Sequence, residues 1–412
     1  MVAVVCPLER SSSVNMIPIA KPWMGEEERE AVQRPLITGW VTQGPEVEAF
    51  EREFAAFVGA GHACAVANCT AALHLALEAA GVGPGDEVVT VSHSFIATAN
   101  AVRYTGAMPV FVDIEAPTFN MDASRVAAAL SDRTRAILVA HQIGMPADLG
   151  ALVELATQHG IVVVEDAACA IGSEVRWKER WERIGAPHGV MACFSFHPRK
   201  LLTTGDGGMI TTHDARLDGH VRLARQHAMS ASDTRRHAAT GVVLPSFDTL
   251  GYNYRMTDMQ AAVGRVQLGR VPEMIARRRL LAARYDAALR GLDGVKTPVE
   301  PAWARTNYQS YCVWLPDDID QITLMAFMRD QGVATRTGVM NAHQEGAYPQ
   351  GTWRCGVADC DASCDAHTCA RLPVSEAAFN RTLMLPLYHE LEEEEVDTVV
   401  AAFVAGLAAQ RA

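Results

Sequence analysis

The sequence has no apolar run near the roughly 20 residues that a membrane-crossing helix needs. It has no basic stripe, and its formal net charge is -12 at pH 7. An acidic chain of this kind suits neither nucleic acid nor an anionic membrane surface, so neither is expected as a partner. The stretch from Met1 to Met16 holds one short apolar run, then Glu9-Arg10 and three serines. It lacks the ordered n-region, h-region and cleavage site of a signal peptide. A cytoplasmic location is expected, and the ten cysteines are then reduced thiols or ligands rather than disulfides. There is no internal repeat and no low-complexity segment, so nothing marks a repeat array or a disordered linker.

What is present is core-forming material. The 412 residues are 49% hydrophobic and 20% charged, a composition of soluble globular chains long enough for two or three domains. Short apolar runs alternate with helical patterns through the first half. Strands are expected over 63–67, 87–91, 109–113, 136–140 and 161–164, with helices over 45–58, 71–80, 96–104, 125–130 and 151–159. Such alternation indicates an α/β fold with a mostly parallel sheet flanked by helices. A long helical tract over 257–290 follows, which Pro272 is expected to kink or divide. Shorter elements after residue 295 indicate a smaller α+β domain. The expected division is an N-terminal arm over 1–20, a large domain over 21–265 and a small C-terminal domain over 266–412.

Four local features carry chemistry. Asn68-Cys69-Thr70-Ala71 lies between a strand and a helix; it is either a plain helix cap or a phosphate site made of free N–H groups. Asp166 ends a strand, where ligands of open α/β sheets bind, although a carboxylate there also serves as a cap. Ser195 is a small strand residue or a hydroxyl donor. Lys200 follows Phe194-Ser195-Phe196-His197-Pro198-Arg199 and precedes a Thr/Gly-rich turn ending Gly205-Asp206-Gly207-Gly208. It is a surface charge, or an amine whose pKa its surroundings lower for Schiff-base chemistry. Occurring in this order, the four match the needs of pyridoxal phosphate: donors for the phosphate, an acid for the ring nitrogen and an amine for the aldehyde.

At these residues the sequence resembles the DegT/StrS-type sugar aminotransferases, fold-type-I pyridoxal-phosphate enzymes. The similarity runs from about Trp40 to Val400. It rests on Asn68-Cys69-Thr70-Ala71-Ala72-Leu73, Gly83-Pro84-Gly85-Asp86-Glu87-Val88, Glu165-Asp166-Ala167-Ala168-Cys169-Ala170, the stretch from Phe194 to Gly208, and Gly251-Tyr252-Asn253-Tyr254-Arg255-Met256. The resemblance implies the cofactor pyridoxal 5'-phosphate and a ping-pong transfer of an amino group, with glutamate as donor and a nucleotide-linked keto sugar as acceptor. Lys200 matches the Schiff-base lysine and Asp166 the partner of the ring nitrogen. Thr70, Ala71 and Ser195 match phosphate-binding positions, and Phe95 matches the aromatic that stacks on the ring. Asn253 matches an asparagine that reaches the phosphate of the other subunit, which implies a homodimer with shared sites. Two positions depart from the family pattern. The phosphate turn lacks the glycine of the usual Ser-Gly-Thr, and Cys169 replaces a glutamine that contacts the cofactor's 3-hydroxyl side. The alternatives are other pyridoxal-phosphate chemistry (dehydration, a lyase or oxidase-like step, keto-cyclitol amination) or a cofactor-binding regulatory protein without turnover.

In the C-terminal part, Arg336 and His343 resemble residues near the substrate mouth. Arg336 is placed to pair with a donor carboxylate or a nucleotide phosphate, or is simply solvated. His227 is a further candidate, set against a structural histidine. Cys355, Cys360, Cys364 and Cys369, with His367 among them, form a cysteine-rich loop over 355–369. Their spacings are not the two-residue pairs of common zinc sites, so the expectation is a surface insertion and no metal.

Overall fold

The computed structural model describes residues 16–231, 236, 239–356 and 368–412. Residues 1–15 of the expected arm lie outside that set, as do Cys360, Cys364 and His367.

The described strands are β1 (His62–Val66), β2 (Glu87–Val91), β3 (Met108–Val112), β4 (Thr134–Ala140), β5 (Val162–Asp166), β6 (Glu174–Trp177) and β7 (Arg180–Arg183). They continue with β8 (Met191–Ser195), β9 (Gly208–Thr212), β10 (Ala304–Arg305), β11 (Tyr311–Trp314), β12 (Arg336–Thr337) and β13 (Thr382–Leu385). The helices are α1 (Glu26–Thr38), α2 (Pro45–Val58), α3 (Cys69–Ala79), α4 (Ala97–Tyr104), α5 (Ala123–Val126) and α6 (Leu149–His159). After α7 (Ala215–Ala224) come α8 (Asp258–Leu289), α9 (Gln321–Asp330), α10 (Pro373–Arg381) and α11 (Glu393–Arg411).

Seven strands form one sheet in the order β1-β9-β8-β5-β4-β2-β3. Within it β8, β5, β4, β2 and β3 are parallel, and β9 runs against both its neighbours. The strands lack apolar–polar alternation because both faces are covered. Val88, Leu138 and Val164 pack with α3 and α7, while Val89, Ile137 and Val163 pack on the opposite side with α2, α6 and α8. Each fully buried side chain of this size contributes about 1.5–3 kcal/mol.

The second core gathers around β11, β13, β12, α9 and α11. Helix α8 serves both cores. Its first half lends Ala261, Leu268, Val271 and Met274 to the sheet, and its second half lends Leu281, Ala282, Tyr285 and Leu289 to the smaller core. Pro272 does not divide it, contrary to the sequence expectation. The proline costs one main-chain hydrogen bond, but Val271 and Met274 on either side of it are buried and keep the axis continuous. Two smaller differences are local. The helix expected over 125–130 is α5 followed by a 3-10 turn, Ala127–Ala129. The strand ending at Val164 runs on through Asp166.

Two carboxylates tie the front of the chain to this frame. Asp258, at the start of α8, accepts from the N–H groups of Gly44 (2.7 Å), Glu46 (3.1 Å) and Val47 (3.0 Å), closing the N-terminus of α2. Glu51 of α2 is 4% exposed. It accepts from Ala65 N–H of β1 (2.8 Å), Arg222 Nη1 (2.6 Å) and Arg225 Nη1 (2.5 Å) of the α7 region. Burial alone would raise the Glu51 pKa; the charges of Arg225 and Arg222 outweigh it and hold the carboxyl below its ordinary value. A depressed folded-state pKa stabilises the fold above the unfolded glutamate value of about 4.3, and that contribution is lost as pH falls through the folded-state value. Glu51→Ala should therefore destabilise the protein by about 3–5 kcal/mol at pH 7, because the buried Arg225 guanidinium loses its counter-charge, while the half-buried Arg222 keeps Asp218. In urea denaturation the gap to the parent should narrow as pH drops below 4; a gap independent of pH would rule the explanation out.

Candidate active site

The parallel strands all present their C-terminal ends to one side, and the candidate residues collect there. A cavity of about 680 Å³ opens at these ends. Its walls include Thr70 and Ala71 after β1, Phe95 after β2, Asp166 at the end of β5, Ser195 at the end of β8, then Cys169, Lys200 and Arg336. Asn253 and His343 are not among the lining residues.

The turn after β1 leaves main-chain donors at a helix start. Asn68 caps α3 by accepting from Ala71 N–H at 2.9 Å. The N–H groups of Cys69 and Thr70 precede the first intrahelical bond, so they have no main-chain acceptor in α3. Cys69, which stands where the usual turn has a glycine, is buried against α3 and also lines the cavity. A glycine is required opposite instead. A Cβ on Gly208 would lie 2.6–2.8 Å from the main chain of Asn68 and Cys69. The close approach is thus supplied by β9 rather than by the turn itself.

Asp166 is 7% exposed. Its Oδ2 accepts from Thr98 Oγ1 at 2.7 Å and its Oδ1 from Ala168 N–H at 3.1 Å. Thr98 is itself paired with Ser94 Oγ at 2.7 Å. Behind Asp166, His141 Nδ1 accepts from Ala147 N–H at 3.0 Å, so its Nε2 carries the proton that faces Glu165 at 3.2 Å. That tautomer leaves His141, which also lines the cavity, no free ring nitrogen.

Lys200 sits in the turn beyond β8, and its Nζ donates to Cys169 Sγ at 3.0 Å. Burial disfavours the ammonium, but Cys169 and Asp166 outweigh burial, and the pKa stands above the ordinary lysine value. Of the two sequence readings, a surface charge or a lowered amine, neither describes this partly buried, raised ammonium. The reason is the carboxylate and thiol that tertiary folding brings to Nζ. Burial also pushes the thiols of Cys69 and Cys193 well up, so both stay neutral.

The remaining candidates divide. Phe95 is 63% exposed, with its ring over the open side. Arg336 and Arg199 both line the cavity, and neither has a carboxylate partner among the described residues. Burial and the charge of Arg199 lower the Arg336 pKa, a sign that the two cations are uncompensated. Asn253 is exposed and bridges Gln226 outside its own chain's cavity. His343 is fully buried. Its Nδ1 meets Ser92 Oγ at 2.6 Å and its Nε2 meets Glu376 at 3.2 Å, so it holds the 340–356 segment against the sheet rather than facing a ligand. His227 is exposed and likewise outside the cavity. Cys355 and Cys369 are buried beside Phe111 and Trp353, on the far side of β3. Residues the sequence reading did not single out are Thr98, Gln309, Tyr254 and Arg199, all lining the cavity. Only Thr98 had a local signal, its four-residue spacing from Ser94 at a helix start.

A model of the DegT/DnrJ/EryC1/StrS aminotransferase family matches residues 22–404. The spore coat polysaccharide biosynthesis protein SpsC of Bacillus subtilis (strain 168) is 36% identical over 392 residues, covering 94% of this chain and 96% of that protein. The aminotransferase TlmJ from Streptoalloteichus hindustanus superposes with a TM-score of 0.84 at 36% identity, over 96% of this chain and 100% of that one. DesV of S. venezuelae, solved in complex with a ketimine intermediate, gives 0.82 at 33% identity, over 95% and 99%. The fold and these relatives define a pyridoxal-phosphate-dependent aminotransferase. Within that class, the chain belongs to the DegT/DnrJ/EryC1/StrS aminotransferase family.

The donor set fits that cofactor: main-chain donors at a helix start, a buried carboxylate and an amine converge on one cavity. Thr98→Val keeps shape but removes the O–H donor to Asp166. It should raise the cofactor Kd about tenfold, the loss expected for one hydrogen bond to a charged group. Absorbance titration of cofactor-free protein checks this, and an unchanged Kd would reduce the contact to a packing role.

Proposed function

We propose that this aminotransferase moves an amino group from L-glutamate to a keto sugar carried on a nucleotide, in amino-sugar or secondary-metabolite biosynthesis. The observation that carries the reading is the meeting of Lys200, Asp166, the α3 N-terminus and Ser195 at one cavity. When bound, pyridoxal phosphate supplies an aldehyde for amine exchange and a ring that delocalises charge. In this reading the N–H groups of Cys69 and Thr70, with Ser195, hold its phosphate. Asp166 would hold a proton at the ring nitrogen, and Phe95 would cover the open side. Lys200 would supply the amine that takes up the aldehyde and, at Nζ, the group that carries a proton.

The unpaired charges of Arg199 and Arg336 support anionic substrates. Both a donor carboxylate and a sugar-linked diphosphate offer the paired oxygens that guanidinium groups take bidentately. The description of SpsC as a polysaccharide biosynthesis protein supports a sugar acceptor. A homodimer is proposed on Asn253, which is exposed and does not line its own chain's cavity. Val242, Leu244, Phe247 and Leu250, an apolar run 59–92% exposed just before it, give that neighbour a surface to cover. The cytoplasm is proposed as the location.

The test is covalent as well as kinetic. Borohydride reduction of the loaded protein should fix one cofactor on Lys200, read by peptide mass. Lys200→Ala should lose that tag and lower amination of a nucleotide keto-sugar panel by at least about a thousandfold, since it removes both nucleophile and proton carrier. A tag that persists in the variant would displace Lys200 from the mechanism. Amination of free but not nucleotide-linked keto sugars would displace the proposed acceptor.

A further inference from the structure

The contact between Lys200 Nζ and Cys169 Sγ joins two loops, one after β8 and one after β5. Neither loop holds the other. Both are held by a third segment, residues 306–310, which comes from the side of the smaller core. We propose that this segment is the positioning element for the Lys200 amine: Asn307 grips the main chain at Cys169, Gln309 grips the main chain on both sides of Lys200, and together they set Nζ against Sγ. The proposal rests on the reading of Lys200 given above.

The contacts are specific. Gln309 is 8% exposed and lines the cavity. Its Oε1 accepts from Leu201 N–H at 2.9 Å, and its Nε2 donates to the Arg199 carbonyl at 2.7 Å. One side-chain amide therefore spans the two peptide groups that flank Lys200, as a neighbouring strand would. Asn307 is fully buried. Its Nδ2 donates to the carbonyls of Cys169 and Ile171, both at 2.9 Å, and its Oδ1 accepts from Gln309 N–H at 2.8 Å. The two grips are thus bonded to each other.

The segment is itself immobilised. Tyr308, between the two amides, has φ +49°, a left-handed conformation that persists only where the surroundings enforce it. Arg278 of α8 enforces it: its buried Nη1 lies 3.1 Å from the carbonyl oxygens of both Tyr308 and Gln309. Gly144 leaves the room, since a Cβ there would fall 2.0 Å from Asn307 Oδ1. Gln309 commits one donor and one acceptor of its amide to the main chain on either side of the amine. A Lys200 turn without it would keep its strand anchor at Phe196 N–H to Gly207 carbonyl but lose its tie to the second core.

The chain has only four lysines, Lys21, Lys178, Lys200 and Lys296, so amine chemistry can be followed residue by residue. Gln309→Met keeps size and removes both grips; Gln309→Glu keeps the acceptor and loses the donor. In cofactor-free protein, acetic anhydride labelling read by mass should be about tenfold faster at Lys200 in Gln309→Met, the gain in free amine that one pKa unit brings. The other three lysines serve as internal references. In loaded enzyme kcat should fall roughly tenfold to a hundredfold, as for a misplaced reacting group, while KM stays within about threefold because binding is not what is lost. Gln309→Glu should lie between. A folded Gln309→Met, judged by Tm, with parental labelling and parental kcat overturns the proposal. If that variant does not fold, Gln309→Glu decides by the same two readouts. Borohydride tagging of the parent separates the two layers: a tag on Lys200 with no Gln309 effect defeats only the positioning role, and a tag on another lysine defeats both.

Discussion

The shared direction of β2, β4, β5 and β8 is the constraint on which the site depends. Parallel strands bring their carboxyl ends to one edge, and the loops that leave that edge have nowhere else to gather. The register is as important as the direction. Ala140 pairs with Asp166 and Asp166 with Cys193. A one-residue slip in β5 would turn the carboxylate to the opposite face. The buried Glu165 opposes it, since its carboxylate accepts from the N–H groups of His188 and Gly189 and meets His141, partners found on one side of the sheet only. A bonded charge inside the strand thus fixes the position of the charge at its end.

The charges at that edge are unequal. Asp166 and Asp206 face three cations in the cavity wall: Lys200, Arg199 and Arg336. Asp166 is satisfied by Thr98 and Ala168, and the thiols of Cys69 and Cys193 stay neutral through burial. The cavity is therefore electropositive by the arrangement of side chains, although the chain as a whole carries -12. An acidic surface and a cationic site are compatible, because screening over about 10 Å makes the local cluster rather than the net charge what a ligand meets.

Much of this was legible in the sequence for a simple reason: the strand ends are punctuated locally. Asp166 closes an apolar run, Asn68 and Thr70 stand between a strand and a helix, and Lys200 follows Phe196 into a Gly-rich turn. The partners of these residues were not legible. Thr98 reaches Asp166 across 68 residues, Gln309 reaches Arg199 across 110, and Asn307 reaches Cys169 across 138. No period or spacing encodes such contacts. The raised Lys200 pKa was not legible for the same cause, since apolar neighbours in sequence are not the neighbours in space. The hairpin β6–β7 was missed although Glu174-Val175-Arg176-Trp177 alternates, because its two-residue turn, Lys178-Glu179, takes positive φ without the Gly or Asn that marks such turns.

Arg278 shows how the two cores are kept in one alignment. It is 4% exposed and has no acidic partner among the described residues. Its Nη1 lies 3.0–3.1 Å from the carbonyl oxygens of Tyr308, Gln309 and Leu387. Burial lowers its pKa to about 10, which still leaves it charged at neutral pH. A carboxylate would have neutralised it more cheaply, but a carboxylate is a side chain and can follow the guanidinium if either moves. Three carbonyls belong to the main chain of two separate segments, so the cation can be solvated only while both segments stay in place. Leu387 lines the cavity beside Gln309. A long helix that runs unbroken through both cores, carrying one charge that only their joined backbones can satisfy, makes the junction between them a fixed wall of the site.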